Sequence, residues 1–227
     1  MLNSLLNKIT HADCLEVMKQ LPDKCIDLIL TDPPYGIGIS KRGVLGSVNK
    51  HTNAPVTDYG KDDWDDDVPG QEYFDEMFRI SKNQIIFGGN FMIEQIRKNT
   101  PCMIVWDKDN TGNYADCELA WTSFPCAVKK YTWRWNGMIQ QDMKNKEFRI
   151  HPTQKPVPLL EMILRDFYKK QNSTGVVLDC FSGSGSTAIA CYKLGIPFIA
   201  IEKSKKYVEK SKERLEDFAA QGRLFVI

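Results

Sequence analysis

The sequence predicts an α/β fold, a doubly wound and mainly parallel sheet in one domain. Three observations carry that expectation. Short apolar, β-branched runs alternate with helical patterns, the order that builds a parallel sheet covered on both faces. Two of the runs lead directly into loops with chemical character: T-D-P-P-Y-G at residues 31–36 and L-D-C-F-S-G-S-G-S-T at residues 178–187. The glycine-rich loop comes late in the chain, whereas an ordinary doubly wound domain places it first. A length of 227 residues suits one such domain with a small insertion.

The expected strands are residues 27–30, 84–87, 103–106, 176–178 and 198–201, each a short apolar run. Helical periodicity covers residues 15–21, 71–80, 91–98, 158–168, 186–194 and 205–218. In the last, Ser204, Val208, Ser211, Leu215 and Phe218 share a face, and the Lys and Glu residues read as a solvated surface. Residues 118–123 and 127–133, separated by Phe124-Pro125-Cys126, read as an antiparallel hairpin at a sheet edge. Two segments break the pattern. Residues 37–69 form a loop long enough to be functional or mobile. Residues 135–149 are polar, with aromatic and basic residues interspersed.

Composition excludes several classes. A net charge of +1 is not that of a protein held to nucleic acid by charge alone, so any DNA contact must be locally basic. An apolar content of 42% argues against wholesale disorder. Seven cysteines with no C-x-x-C pair point to a reducing cytoplasm rather than a disulfide framework. His11, His51 and His151 lie far apart, without zinc-ligand spacing, and no metal is expected. No apolar run reaches membrane-spanning length, and no leader peptide is recognisable.

The first motif reads as a stiff turn. Pro33 and Pro34 fix their own φ angles, remove two N–H donors and push the residues before them towards extended geometry. Asp32 offers carboxylate acceptors, Pro33 a carbonyl and Tyr35 a stacking face, a set that suits a planar base carrying an amino group. The bland reading is a proline turn capped by Asp32. In the second motif, Gly183 and Gly185 let backbone approach a ligand closely. The G-x-G-x-x-A pattern, with Glu202 closing the next strand, fits an adenosine-containing cofactor whose ribose the acid would bind. It does not by itself separate a nicotinamide cofactor from others. No Lys follows Gly185, so this is not a phosphate-cradling P-loop. The third motif, H-P-T-Q-K-P at residues 151–156, offers Lys155 to a cofactor carboxylate or a plain helix entry with a solvated lysine.

In that order the three motifs resemble the permuted, beta-class DNA amino-methyltransferases, which act on adenine N6 or cytosine N4 with S-adenosylmethionine. The resemblance runs from about His11 to Glu202. It implies a seven-stranded, mainly parallel Rossmann-like methyltransferase sheet. It divides the single domain 1–227 into a catalytic half (1–123), a small target-recognition segment (124–150) and a cofactor-binding half (151–227). Asp32, Pro33, Pro34 and Tyr35 would be catalytic. Asp179, Phe181, Gly183, Gly185, Ser186 and Thr187 would bind the cofactor, with Thr153 and Lys155 at its carboxylate and Glu202 at its ribose. Asp13 and Cys14, in H-A-D-C, resemble a segment near the cofactor adenine.

The chemistry so implied is direct methyl transfer to an exocyclic nitrogen after base flipping, driven by placement and electrostatics, with no metal. Asp in the first position of D-P-P-Y resembles the adenine enzymes, and cytosine N4 is the same-chemistry alternative. DNA contacts are expected from Lys41 and Arg42 and from Lys129, Lys130, Arg134 and Lys144, with Tyr131, Trp133 and Trp135 interleaved for stacking. The acidic run at residues 62–67 is expected to point away from DNA or to belong to a mobile lid. The reading implies a cytoplasmic, prokaryotic or phage-encoded enzyme with DNA as substrate. It leaves room for a homodimer and a restriction endonuclease partner. A nicotinamide-dependent oxidoreductase and a non-catalytic DNA-binding module stand as readings from other classes.

Overall fold

The computed structural model describes residues 2–38, 41, 65–109, 115–136 and 139–223. After a single-turn helix α1 (Leu2–Leu5), the main sheet is built from β1 (Lys8–His11), β2 (Ile26–Thr31), β3 (Ser81–Phe87), β4 (Met103–Asp107), β5 (Cys117–Thr122), β6 (Lys129–Thr132), β9 (Val177–Asp179) and β10 (Phe198–Glu202). A separate two-stranded ribbon joins β7 (Trp135–Asn136) to β8 (Ile139–Gln140). The main sheet runs β1-β10-β9-β2-β3-β5-β4-β6, and only β5 opposes its neighbours.

Alternation along the central strands feeds two cores. Leu28, Leu30, Ile85 and Phe87 pack on one face with α5 (Val157–Leu164), α6 (Ser186–Leu194) and α7 (Lys205–Arg223). Ile29 and Ile86 pack on the other with α2 (Cys14–Met18) and α3 (Gln71–Ile80). Every described position of β2 after Asp27 is buried, as expected of a strand covered on both sides.

Three departures from the sequence reading have physical causes. The sheet holds eight strands where the resemblance implied seven. The extra strand is β1, whose K-I-T-H run buries only Ile9 and so carries little strand signal. The hairpin expected from residues 118–123 and 127–133 does not form. β5 pairs antiparallel with β4 and β3, while β6 pairs parallel with β4 on its far side. Residues between them cross the sheet instead of turning, because Phe124 is buried against Phe167 with ring centroids 4.8 Å apart. The helix expected over 91–98 is a 3-10 turn at Gly89–Phe91 followed by the single-turn α4 (Ile93–Ile96), and α5 widens into a π turn at Arg165–Lys169.

The placement of β9 positions the site. The connection from β9 through α6 leads to β10 on one side, and that from β2 through α3 leads to β3 on the other. The carboxyl ends of β9 and β2 therefore flank a topological switch point, where open α/β sheets bind ligands. No described helix is long and apolar enough to cross a membrane.

Candidate active site

Motifs that lie almost 150 residues apart meet at that switch point. Thr31 at the end of β2 donates its hydroxyl to Asp179 Oδ1 at the end of β9, at 2.8 Å. The Phe181 amide donates to both Thr31 Oγ1 and Asp179 Oδ1 at 3.2 Å. Burial pushes the Asp179 carboxyl up to about 6, against the bonds from Thr187, Thr31 and Phe181. A cavity of about 680 Å³ opens between the two loops.

Most residues singled out in the sequence line this cavity: Asp13, Cys14, Asp32, Pro34, Thr153, Lys155, Asp179, Phe181, Gly183, Ser186, Thr187 and Glu202. Gly185, Pro33 and Tyr35 do not. Gly185 (φ +74°) caps α6, and a Cβ there would lie 3.0 Å from Ser211 Cβ of α7. Its glycine serves helix packing rather than ligand approach.

The charge arrangement at the motif D-P-P-Y is closed. Asp32 Oδ2 accepts from Lys155 Nζ at 2.5 Å, and Asp32 Oδ1 from the Tyr35 hydroxyl at 2.6 Å. Lys155 Nζ also lies 3.1 Å from Glu118 Oε2 of β5, whose Oε1 is 2.5 Å from Lys108 Nζ. Asp32, Lys155, Glu118 and Lys108 thus alternate in sign through the interior, and the Lys155 side chain is only 7% exposed. Burial opposes each charge. It leaves the Asp32 carboxyl above the ordinary range despite Lys155. Lys155 and Lys108 outweigh burial at Glu118 and hold it low, while Asp32 and Glu118 outweigh burial at Lys155 and hold it high. Lys155, read from the sequence as a partner for a cofactor carboxylate, is therefore already bound to the Asp32 carboxylate. Glu118 was missed. Its only sequence signal is an acid within the apolar run C-E-L-A-W-T.

Tyr35 stacks on Phe91, with ring centroids 5.0 Å apart and planes at 16°. A Cβ at Gly88 (φ +67°) would fall 2.1 Å from its ring. The stacking face expected to meet a base is in contact with Phe91 here, and only a glycine at position 88 leaves room for the ring. The loop is pinned from the acidic run. Asp65 is 1% exposed, and its Oδ1 accepts the backbone N–H groups of Tyr35 and Gly36 at 2.8 and 3.1 Å. Asp66 pairs with Lys41 at 3.0 Å, and Asp66 and Asp67 line the cavity. Asp65 turns inward, whereas Asp66 is partly buried and Asp67 is exposed at the cavity mouth, so the described part of the run adjoins the cavity rather than pointing away from it. Residues 62–64 lie outside the described residues.

The residues present fit a cationic adenosine cofactor. Among the described residues, six carboxylates line the cavity (Asp13, Asp32, Asp66, Asp67, Asp179 and Glu202) against two lysines, Lys155 and Lys203. His151 adds no charge, because burial depresses it to about 3. Three amides of the glycine loop are spent internally. Ser182 donates to Ile201, Gly185 to Ser182 and Gly183 to Glu202 Oε2, the last at 2.8 Å. That lining repels a pyrophosphate and offers it little cradle, which counts against the nicotinamide reading. Ser182 lines the cavity, and its buried hydroxyl has no hydrogen-bond partner among the described residues. Tyr73, which the sequence reading passed over, completes the far end: its ring lies 6.1 Å from Phe181 and its hydroxyl 3.2 Å from Asp13. Asp13 caps α2 through Leu15 and pairs with Lys203 at 3.1 Å.

Arg214 of α7 was also missed. Its guanidinium bonds Ser184 O at 2.9 Å, Ser186 Oγ at 3.0 Å and Glu147 Oε2 at 2.5 Å, tying the glycine loop to the segment before His151. It adjoins the apolar stripe of α7, where a long cation with no outward route needs an internal partner.

The residues named for DNA lie mainly at the sheet edge. Lys129, Lys130, Arg134 and Lys144 are exposed. Lys130 pairs with Asp107 at 2.8 Å and Arg134 pairs with Asp109, while Lys129 and Lys144 make no ion pair among the described residues. Lys41 is exposed, and Arg42 lies outside the described residues. The interleaved aromatics are not a stacking surface. Tyr131 and Trp135 are buried in the core, Trp133 packs against it, and Tyr131 donates to Asp166 at 2.7 Å.

Sheet, switch-point cavity and acid-lined glycine loop together make an α/β site in which the buried Asp32 carboxylate faces a lining suited to a cationic nucleoside. Known proteins make this specific. The DNA methylase family model N6_N4_Mtase matches residues 121–213. The type II methyltransferase M.HinfI of Haemophilus influenzae is 27% identical, covering 95% of this chain and 70% of its own. The crystal structure of the M1.HpyAVI–SAM complex matches with 26% identity and a TM-score of 0.52, over 92% of this chain and 98% of that one. The cytosine-N4-specific PvuII DNA methyltransferase shares the fold, with 14% identity and a TM-score of 0.56 over 94% and 91% of the two chains. The chain is thus similar to the N6/N4 DNA methylases, over residues 121–213 for the family model and over nearly its whole length for the individual relatives.

Proposed function

We propose that this protein transfers the methyl group of S-adenosylmethionine to the exocyclic N6 of adenine in DNA, after the base leaves the helix. The observation that carries this reading is the junction of Asp32 with the glycine loop, through Thr31 and Asp179, over one acid-lined cavity. Asp32 in the first position of D-P-P-Y favours adenine, and cytosine N4 is the alternative base for the same chemistry.

When bound, S-adenosylmethionine supplies an electrophilic methyl on a sulfonium. Glu202 would accept from the ribose hydroxyls, and Phe181 and Tyr73 would flank the adenine. Thr153, Ser186, Thr187, Gly183 and the Ser182 hydroxyl would face the amino-acid portion. The acidic lining attracts a ligand with two cationic centres. Asp32 and the Pro33 carbonyl would accept the two hydrogens of the target amino group. Each Asp32 oxygen keeps a lone pair beyond its bond to Tyr35 or Lys155. This pull localises the nitrogen lone pair, which otherwise delocalises into the ring, and turns it towards the methyl. Positive charge that develops on the nitrogen as it takes up the methyl would lie beside the Asp32 carboxylate. The surplus amino proton then leaves to that carboxylate, whose raised pKa suits it to accept. Lys155 keeps Asp32 ionised before transfer, and Asp65 holds the Tyr35 loop in place.

The test is nucleoside mass spectrometry of DNA incubated with the protein and S-adenosylmethionine carrying a deuterated methyl. Labelled N6-methyldeoxyadenosine is the expected product. Labelled N4-methyldeoxycytidine would keep the mechanism and change the base, and DNA without label, despite cofactor binding, would sink the reading. Asp32→Ala should lower transfer by about 10²–10³-fold, the scale for loss of one transition-state electrostatic group, with cofactor affinity by calorimetry largely retained.

A further inference from the structure

Phe148 is exposed to 81%, more than any other large hydrophobic residue described. Its backbone is nonetheless anchored on both sides. Gln154, which is 4% exposed, donates to the Phe148 carbonyl at 3.2 Å and accepts from the Ile150 amide at 3.0 Å. Gln140, which is 5% exposed, exchanges two 2.8 Å bonds with the backbone of Glu147. The Glu147 carboxylate in turn accepts from the Val157 amide at 3.0 Å and from Arg214 at 2.5 Å. A ring held out in water on a fixed pedestal gains nothing from folding, and it is pre-organised for whatever it meets.

Charge and position indicate what that is. Lys144 and Lys146, just before Phe148 in the chain, are both exposed. Of the two acids of the same stretch, Glu147 points inward to Arg214, and the exposed Asp142 accepts the amides of Lys144 and Asn145 in its own turn. Gln154, which carries the pedestal, also lines the cavity next to Lys155. The backbone that carries the ring is therefore tied directly to a residue of the cavity wall, in a stretch whose exposed lysines suit an anionic ligand.

We propose that Phe148 is a wedge that enters the base stack of duplex DNA and fills the gap opened when the target base swings into the cavity. Apolar side chains inserted between base steps are an established way to offset unstacking. This inference rests on the proposed methyl transfer to DNA and adds the residue that makes it effective on a closed duplex.

The test compares label incorporation into native and heat-denatured samples of the same genomic DNA. For Phe148→Ala the native-to-denatured ratio should fall about tenfold, because only the paired substrate must be opened. Phe148→Trp should restore it. An unchanged ratio would overturn the inference. So would an equal loss on both substrates, which would indicate general damage, and so would an unchanged ratio with altered molar mass by light scattering, which would assign the ring to a contact between copies. Absence of label from the unsubstituted protein on both DNAs would remove the function reading itself and the inference with it.

Discussion

The interior of the site and the outer edge of the sheet treat charge in opposite ways. At the switch point Lys155 is 7% exposed and fixed between two carboxylates. At the edge, Lys130 (63% exposed) and Arg134 (46%) pair with partly exposed acids, and Lys129 and Lys144 stay solvated. Buried pairs are costly to desolvate but have one geometry, which placing an amino group demands. Exposed cations contribute little to stability, yet they can exchange a counterion for a phosphate. In the proposed function, catalysis and DNA attraction draw on the same residue types in two dielectric settings.

The largest effect should come from opening the interior chain. Lys155→Met removes the cation that opposes the burial-driven rise of Asp32. Transfer should fall by about 10²-fold. Because the reaction needs the ionised carboxylate and Lys155 lowers its pKa, the acid limb of the pH–rate profile should move up by about one unit or more. A limb that stays in place would mean that Asp32 ionisation does not depend on Lys155.

The next effect sharpens the contrast through stability. His151 falls from the ordinary 6.5 to about 3 because burial excludes its charged form. The unfolded chain then binds the extra proton below pH 6.5 and the native state does not, so stability is present above 6.5 and is lost as pH falls towards 3. Between about pH 7 and pH 5 the loss is about 2 kcal/mol for this one group. Urea unfolding of His151→Gln should show that much less pH dependence over the interval than the unsubstituted protein. Equal slopes would mean that the imidazole charges in the folded state.

The smallest effect belongs to the edge. Removing Lys129 and Lys144 together should weaken DNA binding severalfold and reduce the slope of log affinity against log salt by about 0.9 for each phosphate no longer neutralised. Binding titrations at several salt concentrations measure it. An unaltered slope would free these lysines from the DNA path and break the comparison at its outer end.

The sequence alone determined the doubly wound class, because strand and helix periodicities are local, and it determined the motif residues, because D-P-P-Y and F-S-G-S-G-S-T carry their turn chemistry in consecutive positions. Tertiary structure decided the rest. That β4 separates β5 from β6, and that Phe124 is a crossing residue, depends on partners distant in sequence. That Lys155 serves Asp32 and not an open cavity end depends on Glu118, far before it in the chain and on another strand. Tyr131, Trp133 and Trp135 read like Phe148 in composition, yet three are packed inward and one is held out in water. Burial is a property of the assembled sheet, and it sets whether an aromatic ring is core or contact and whether a charge is fixed or free.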